Sequence, residues 1–269
     1  KLCALPVYKE MVQQWGWVYR KDIADKYNID MSKYKSFEEL EPVIKMLKEK
    51  EPDLKYPLDW SSDTAPGPLA TVDMVQSDTY LAKEGTPNAG KCINYFATDE
   101  YKKACETARD FYNKGYVRPD VLTATDQLQR MKEGKTFCML YALKPGKAKE
   151  MFKDSAYEFD QAEVSKAQVD YLAGTGSMQA ISASSKNPVR VMRFLNLLNT
   201  DRYLKNLVIH GIEGKHYNRI DDKTVEPIKG SGYDLYSSSW MIGNVFIDDL
   251  LPTEDPDKLT KLKEFNDSV

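Results

Sequence analysis

The side chains best equipped for chemistry in this sequence are aromatic. Its 269 residues include 17 tyrosines and 4 tryptophans. Trp15 and Trp17 stand two apart, a spacing that puts both rings on one face of a strand. Trp60 follows Asp59 just ahead of a loop-forming stretch, and Trp240 follows three serines. An exposed indole offers a flat apolar surface on which the C–H face of a pyranose can stack. Asp, Asn, Gln and Arg beside it can then satisfy the hydroxyls. A tryptophan is more often core than binding site, so two of the four are expected to touch a ligand.

Groups that make or break bonds are harder to find. His210 and His216 are six apart across a glycine-bearing turn, which fits neither a zinc-binding helix nor a Ser-His-Asp pattern. They read as a helix C-terminal residue or a surface residue. No phosphate loop occurs, and Gly174-Thr175-Gly176 lacks the third glycine of a dinucleotide fingerprint. No cofactor and no metal are therefore expected. Carboxylates are plentiful, so an acid–base pair for glycoside hydrolysis is conceivable in principle, but sequence alone brings no two of them together. The four cysteines, at 3, 92, 105 and 138, contain no C-x-x-C pair. Cys105 and Cys138 fall among apolar positions and read as buried free thiols, with a disulfide left open.

The charge balance narrows the partners. The 38 basic and 41 acidic residues are interspersed and give a net charge of −3. No basic field exists to hold nucleic acid or an anionic membrane. The longest apolar runs, Phe137–Leu143 and Met241–Ile247, are far short of a bilayer span.

Elements that could position the rings follow from periodicity. Trp15–Tyr19 reads as a strand and is followed by a short helix to Asn28. Ser36-Phe37-Glu38-Glu39 is a capping box, ahead of Leu40, Val43, Ile44 and Leu47 at helical spacing. Residues 61–67 and 86–90 are loop-like. Thr98 caps a helix with Tyr101, Ala104, Cys105, Ala108, Phe111 and Tyr112 on its apolar side. A helix from about Asp126 stops at Gly134 and leads into a strand over Thr136–Tyr141. Tyr171–Ile181 reads as a glycine-spaced strand. Asn187-Pro188 opens a helix with Val191, Phe194, Leu195 and Leu198 buried, and Asp201–His210 is a second. A polar hairpin spans Tyr217–Val225, and helices are expected over Trp240–Leu251 and Thr253–Phe265. Alternating strands and helices give an α/β protein.

Several segments together resemble the extracellular solute-binding proteins of ABC importers, the maltose-binding-protein-like family and its Gram-positive lipoprotein branch. The segments are Leu5-Pro6-Val7-Tyr8 leading to Trp17-Val18-Tyr19-Arg20-Lys21-Asp22, then Ser36-Phe37-Glu38-Glu39-Leu40, and Met131–Met139. Ala180-Ile181-Ser182 with Ser185-Lys186-Asn187-Pro188, Gly211–Tyr217 and Ser239–Asn244 complete the match. Cys138 stands where the family's pattern has alanine. About a hundred residues that normally open the family have no counterpart here, so the first lobe is expected to be incomplete at its N-terminus.

The resemblance implies a two-lobed, type II periplasmic-binding-protein-like α/β fold with hinge crossings at Leu5–Tyr8 and Met178–Ser182. Residues 1–8 would be a hinge crossing and 9–176 the second lobe. Residues 177–232 would be part of the first lobe, and 233–269 a late segment with a cleft tryptophan and C-terminal helices. By position the implied ligand-binding residues are Gln13, Trp15, Trp17, Asp59, Trp60, Tyr141, Trp240 and Asn244, with Glu10 and Arg20 weaker. The implied function is capture of a small solute, a carbohydrate or oligosaccharide, by cleft closure, with no reaction catalysed. The implied partners are that solute and an ABC permease, for a monomeric, lipid-anchored extracellular protein. A glycan-active enzyme with a carboxylate pair, or a surface interaction module without a small-molecule pocket, are the alternatives.

Overall fold

The computed structural model describes residues 4–60, 72–76, 79–82, 89–169 and 173–269. The chain forms two compact units, one of residues 12–171 and one of residues 1–11 with 172–269. In chain order the strands are β1 (Leu5–Pro6), β2 (Gln14–Arg20), β3 (Leu58–Asp59), β4 (Val72–Gln76), β5 (Thr79–Ala82) and β6 (Cys92–Ile93). They continue as β7 (Cys138–Leu143), β8 (Phe159–Glu163), β9 (Met178–Gln179), β10 (Tyr217–Arg219) and β11 (Val225–Pro227). The helices are α1 (Lys21–Lys26), α2 (Phe37–Lys50), α3 (Asp99–Asn113) and α4 (Gln127–Lys132), then α5 (Lys147–Met151), α6 (Pro188–Thr200), α7 (Arg202–His210) and α8 (Lys258–Asn266).

The 12–171 unit is built on a sheet of order β3-β7-β2-β8, parallel between β3 and β7 and antiparallel elsewhere. Both faces of this sheet are covered. Trp17 packs with Phe37, Leu40, Ile44, Leu47, Leu58, Phe111 and Phe137 on one side. Val18 packs with Met131, Met139, Phe152 and Phe159 on the other. A strand buried on both faces loses its polar alternation, and for that reason β2 is apolar nearly throughout. At Gly16 a Cβ would lie 2.2 Å from the Ala162 carbonyl oxygen and 2.3 Å from Leu143. Only glycine lets β8 approach there.

Helix α2 begins as the sequence predicts. Ser36 Oγ accepts from the Glu39 amide at 3.1 Å, while the Glu39 carboxylate accepts from the Lys35 amide, one residue before the cap. The four predicted positions of α2 are buried with Phe37. Thr98 caps α3 through the Tyr101 amide. The α3 stripe is narrower than expected, however. Ala104 and Phe111 are buried, whereas Tyr112 and Cys105 are exposed. Cys105 is therefore not a buried thiol, but Cys138 is. Cys92, Cys105 and Cys138 are free, and Cys3 lies outside the described residues.

In the other unit β1 pairs with β9, and β10 with β11, both antiparallel. The hairpin is as predicted. The strand expected over Tyr171–Ile181 shrinks to β9 after a 3-10 turn at Ala173–Thr175; residues 171 and 172 lie outside the described residues. Gly174 and Gly176 supply no side chain for a sheet face to bury. Along α6 Leu195 and Leu198 are buried, while Phe194 faces outward. The helix expected over Trp240–Leu251 is instead two 3-10 turns, Tyr236–Met241 and Val245–Ile247. Gly243 divides them at φ +62°, and a Cβ there would sit 2.5 Å from the Leu198 carbonyl. The last helix starts later than expected, at Lys258. Among the described residues no helix is long and apolar enough to cross a membrane.

Candidate functional site

The eight sequence-derived site residues fall into two groups once packing is known. Trp17 is 0% exposed and Trp60 2%. The Trp17 indole donates to the Tyr34 carbonyl at 2.8 Å and meets the Phe37 ring edge-on, as Trp60 does from another side. Both indoles belong to the core, which corrects their assignment as ligand faces. Asp59 is also buried. It accepts from the Trp60 amide at 3.0 Å, and its other oxygen lies 3.4 Å from Arg130 Nε. Burial raises the Asp59 carboxyl above its ordinary value, with Arg130 pulling the other way. Asn244 is taken up structurally: its Oδ1 accepts from the Phe246 amide and its Nδ2 donates to the Asn199 carbonyl. That amide holds a turn.

Gln13, Trp15, Tyr141 and Trp240 remain half-buried. Gln13 exchanges backbone hydrogen bonds with Gln168, which fixes the start of β2. Trp15 lies opposite Ala142, and Gly16 opposite Tyr141. Directly opposed residues share a face, so Trp15 and Tyr141 stand on opposite faces of the sheet. Trp15 packs at the edge of the Trp17 core, and Tyr141 beside Met139 and Phe159. The two rings therefore do not form one wall. Burial pushes the Tyr141 hydroxyl up, with Glu150 adding to the shift.

In the 1–11 and 172–269 unit, the Lys9 ammonium lies 5.8 Å from the centre of the Trp240 ring. Asn266 on α8 grips the neighbouring backbone, accepting from the Met11 amide and donating to the Lys9 carbonyl. Of the weaker candidates, Glu10 pairs with Lys9 at 3.3 Å. Arg20 is buried, donates to the Gly134 carbonyl at 2.7 Å and pairs with Asp22. Arg20 thus fastens α1 to the turn at Gly134 and serves structure, not ligand.

Two features escaped sequence reasoning. One is Lys205, fully buried, with its ammonium 2.7 Å from Ser239 Oγ, 2.6 Å from the Ile242 carbonyl and 3.3 Å from Asp248 Oδ1. Ser239 Oγ donates to the other Asp248 oxygen. Burial lowers the lysine pKa and pushes Asp248 up to about 6. The only visible signal was a lysine among apolar positions of an amphipathic helix. The other is a groove of about 650 Å³ beside α7, lined by Arg202, Tyr203, Ile212, Arg219 and Asp222 among others. Buried Asp249 bridges Arg202 and Arg219 there. The groove contains none of the eight residues.

The histidines are structural. His210 ends α7, 3.0 Å from the Asp249 carbonyl, and stacks on Tyr236. His216 Nδ1 accepts from the Ile212 amide, and its ring fills the space beside Gly211. Among the described residues no group of three or more His, Cys, Asp or Glu could hold a metal ion. Among the described residues, the carboxyls raised by burial, Asp59 and Asp248, lie in different units, each beside its own cation.

No family model matches the chain. It is 27% identical over 264 residues to a carbohydrate ABC transporter substrate-binding protein of Streptococcus pneumoniae, covering 92% of this chain and 50% of that one. The chain is thus similar in sequence to an ABC-importer solute-binding protein. It is also 25% identical over 238 residues to the polygalacturonan/rhamnogalacturonan-binding protein YtcQ of Bacillus subtilis, covering 81% of this chain and 46% of that one. The chain spans about half the length of the curated relatives it matches.

Among solved structures, the N-glycan transport solute-binding protein NgtS of Streptococcus pneumoniae superposes with a TM-score of 0.82 at 24% identity. The match covers 98% of this chain and 59% of NgtS. NgtS in complex with Man5GlcNAc gives 0.77. The alginate-binding protein AlgQ2 gives 0.56 at 15% identity, over 97% of this chain and 56% of that one. These neighbours are two-lobed α/β solute-binding proteins, and this chain has their fold.

Proposed function

We propose that this chain is part of an extracellular solute-binding protein that captures an oligosaccharide and hands it to an ABC permease, catalysing no reaction. The observation that carries this reading is the similarity over 92% of the chain to a carbohydrate ABC transporter substrate-binding protein. The half-buried aromatic rings support it: in this reading Trp15 and Trp240 are ligand faces, with Gln13 near the first and Tyr141 on the other face of the sheet. Residues 12–171 correspond to the second lobe, and residues 1–11 with 172–269 to part of the first. Cell-surface anchoring through lipid belongs to the same proposal.

Calorimetric titration of the full-length protein tests it. The panel is Man5GlcNAc, oligogalacturonides, alginate oligomers and short peptides. Saturable binding of one saccharide class is expected, with no loss of starting material over hours. Binding of peptides alone ends the carbohydrate reading and keeps transport; release of reducing ends moves the protein to the enzyme class.

A further inference from the structure

We propose that Lys205 is a positioning residue, whose buried ammonium fixes the segment that presents Trp240. The segment from 236 to 249 is irregular, two 3-10 turns parted by Gly243, and among the described residues its backbone is held by no strand ladder beyond the single bridge of Tyr8 with Asn244. Its carbonyls need partners all the same. Lys205 supplies them on both sides of Trp240, at Ser239 and at Ile242. Asp248, farther along the same segment, closes the contact as counter-charge, and Ser239 links the two. The next residue of α7 repeats the device: Asn206 donates to the Ile247 carbonyl and accepts from the Asp249 amide.

A buried ion pair is a poor way to gain stability, because apolar side chains of similar volume commonly do as well. What an ammonium adds is direction. Three or four oxygens at fixed positions converge on it, and a leucine would let the turn settle in several arrangements. A ring that must meet a sugar face within a fraction of an ångström depends on a backbone held this way. The inference rests on Trp240 being a ligand face.

The test uses the full-length protein labelled with 5-fluorotryptophan, in wild type, Lys205→Met and the double variant Lys205→Met/Asp248→Asn. Loss of its signal in Trp240→Phe assigns the Trp240 resonance. Lys205→Met strands a buried carboxylate, so its Tm falls; the double variant removes both charges and recovers most of that fall. In the double variant the Trp240 fluorine signal is expected to shift or broaden while the core tryptophan signals stay. Affinity for the saccharide that binds wild type best weakens by about tenfold or more, the cost of losing preorganisation. An unchanged Trp240 signal, or wild-type affinity in the double variant, overturns the proposal. If wild type binds no saccharide, the carbohydrate reading fails and the fluorine spectrum alone decides the role of Lys205.

Discussion

At the scale of residues, identical side chains divide by burial. Trp17 and Trp60 spend their rings on Phe37, while Trp15 and Trp240 keep part of theirs uncovered. Trp17→Ala should cost about 3–5 kcal/mol, the range for a large core residue. Urea titration measures that cost, and the affinity of the protein that remains folded should be unchanged. Trp240→Ala should do the reverse, with little change in midpoint and weaker saccharide binding. A thiol reagent should label Cys92 and Cys105 in the folded protein and reach Cys138 only on unfolding, because Cys138 is enclosed and burial holds its thiol protonated. Early labelling of Cys138 would contradict the packing of β7. Which tryptophan was which could not be read from spacing. Trp15 and Trp17 do share a face, as the pattern predicts, but only the packing of Phe37 against that face says where the core ends.

At the scale of elements, local signals fixed the ends and tertiary contacts fixed the rest. Ser36→Ala should cost about 1 kcal/mol through the lost cap of α2, measured as a lower urea midpoint. Had that serine been solvated, no change would follow. The Trp240 segment behaves differently, since its conformation depends on a distant helix. Asp248 has a folded pKa of about 6, above its ordinary 3.8. The folded state thus binds this proton more tightly than the unfolded state. Its contribution to stability is full below about pH 4 and is lost as pH rises through about 6. The Lys205 ammonium pulls the other way and tempers the shift. The stability of wild type minus that of Asp248→Asn should therefore fall as pH rises from about 4 to about 6. A difference that is flat, or that rises, would mean Asp248 is ionised throughout.

At the scale of the whole molecule, a ligand that binds only the folded protein raises its melting point with occupancy. A saccharide at about 100 times its Kd should add about 2.7 kcal/mol. In the full-length protein a thermal ramp across the saccharide panel would show it, and a ramp without any shift would count against sugar capture. With a net charge of −3 and interspersed charges, the shift should change little with salt for neutral sugars.

The sequence alone determined the α/β class, the capped helices α2 and α3, the β2 strand and the family resemblance. Each of these is written in neighbours a few residues apart, where periodicity and caps act. Only the tertiary structure decided that Trp17, Trp60 and Asp59 are interior and that Trp15 and Tyr141 oppose each other across one sheet. It also turned the expected Trp240 helix into turns gripped by Lys205. These outcomes depend on residues far apart in the chain, such as Lys205 with Asp248 or Gly243 with Leu198. Burial and hydrogen-bond satisfaction are properties of such pairs, and no local pattern encodes them.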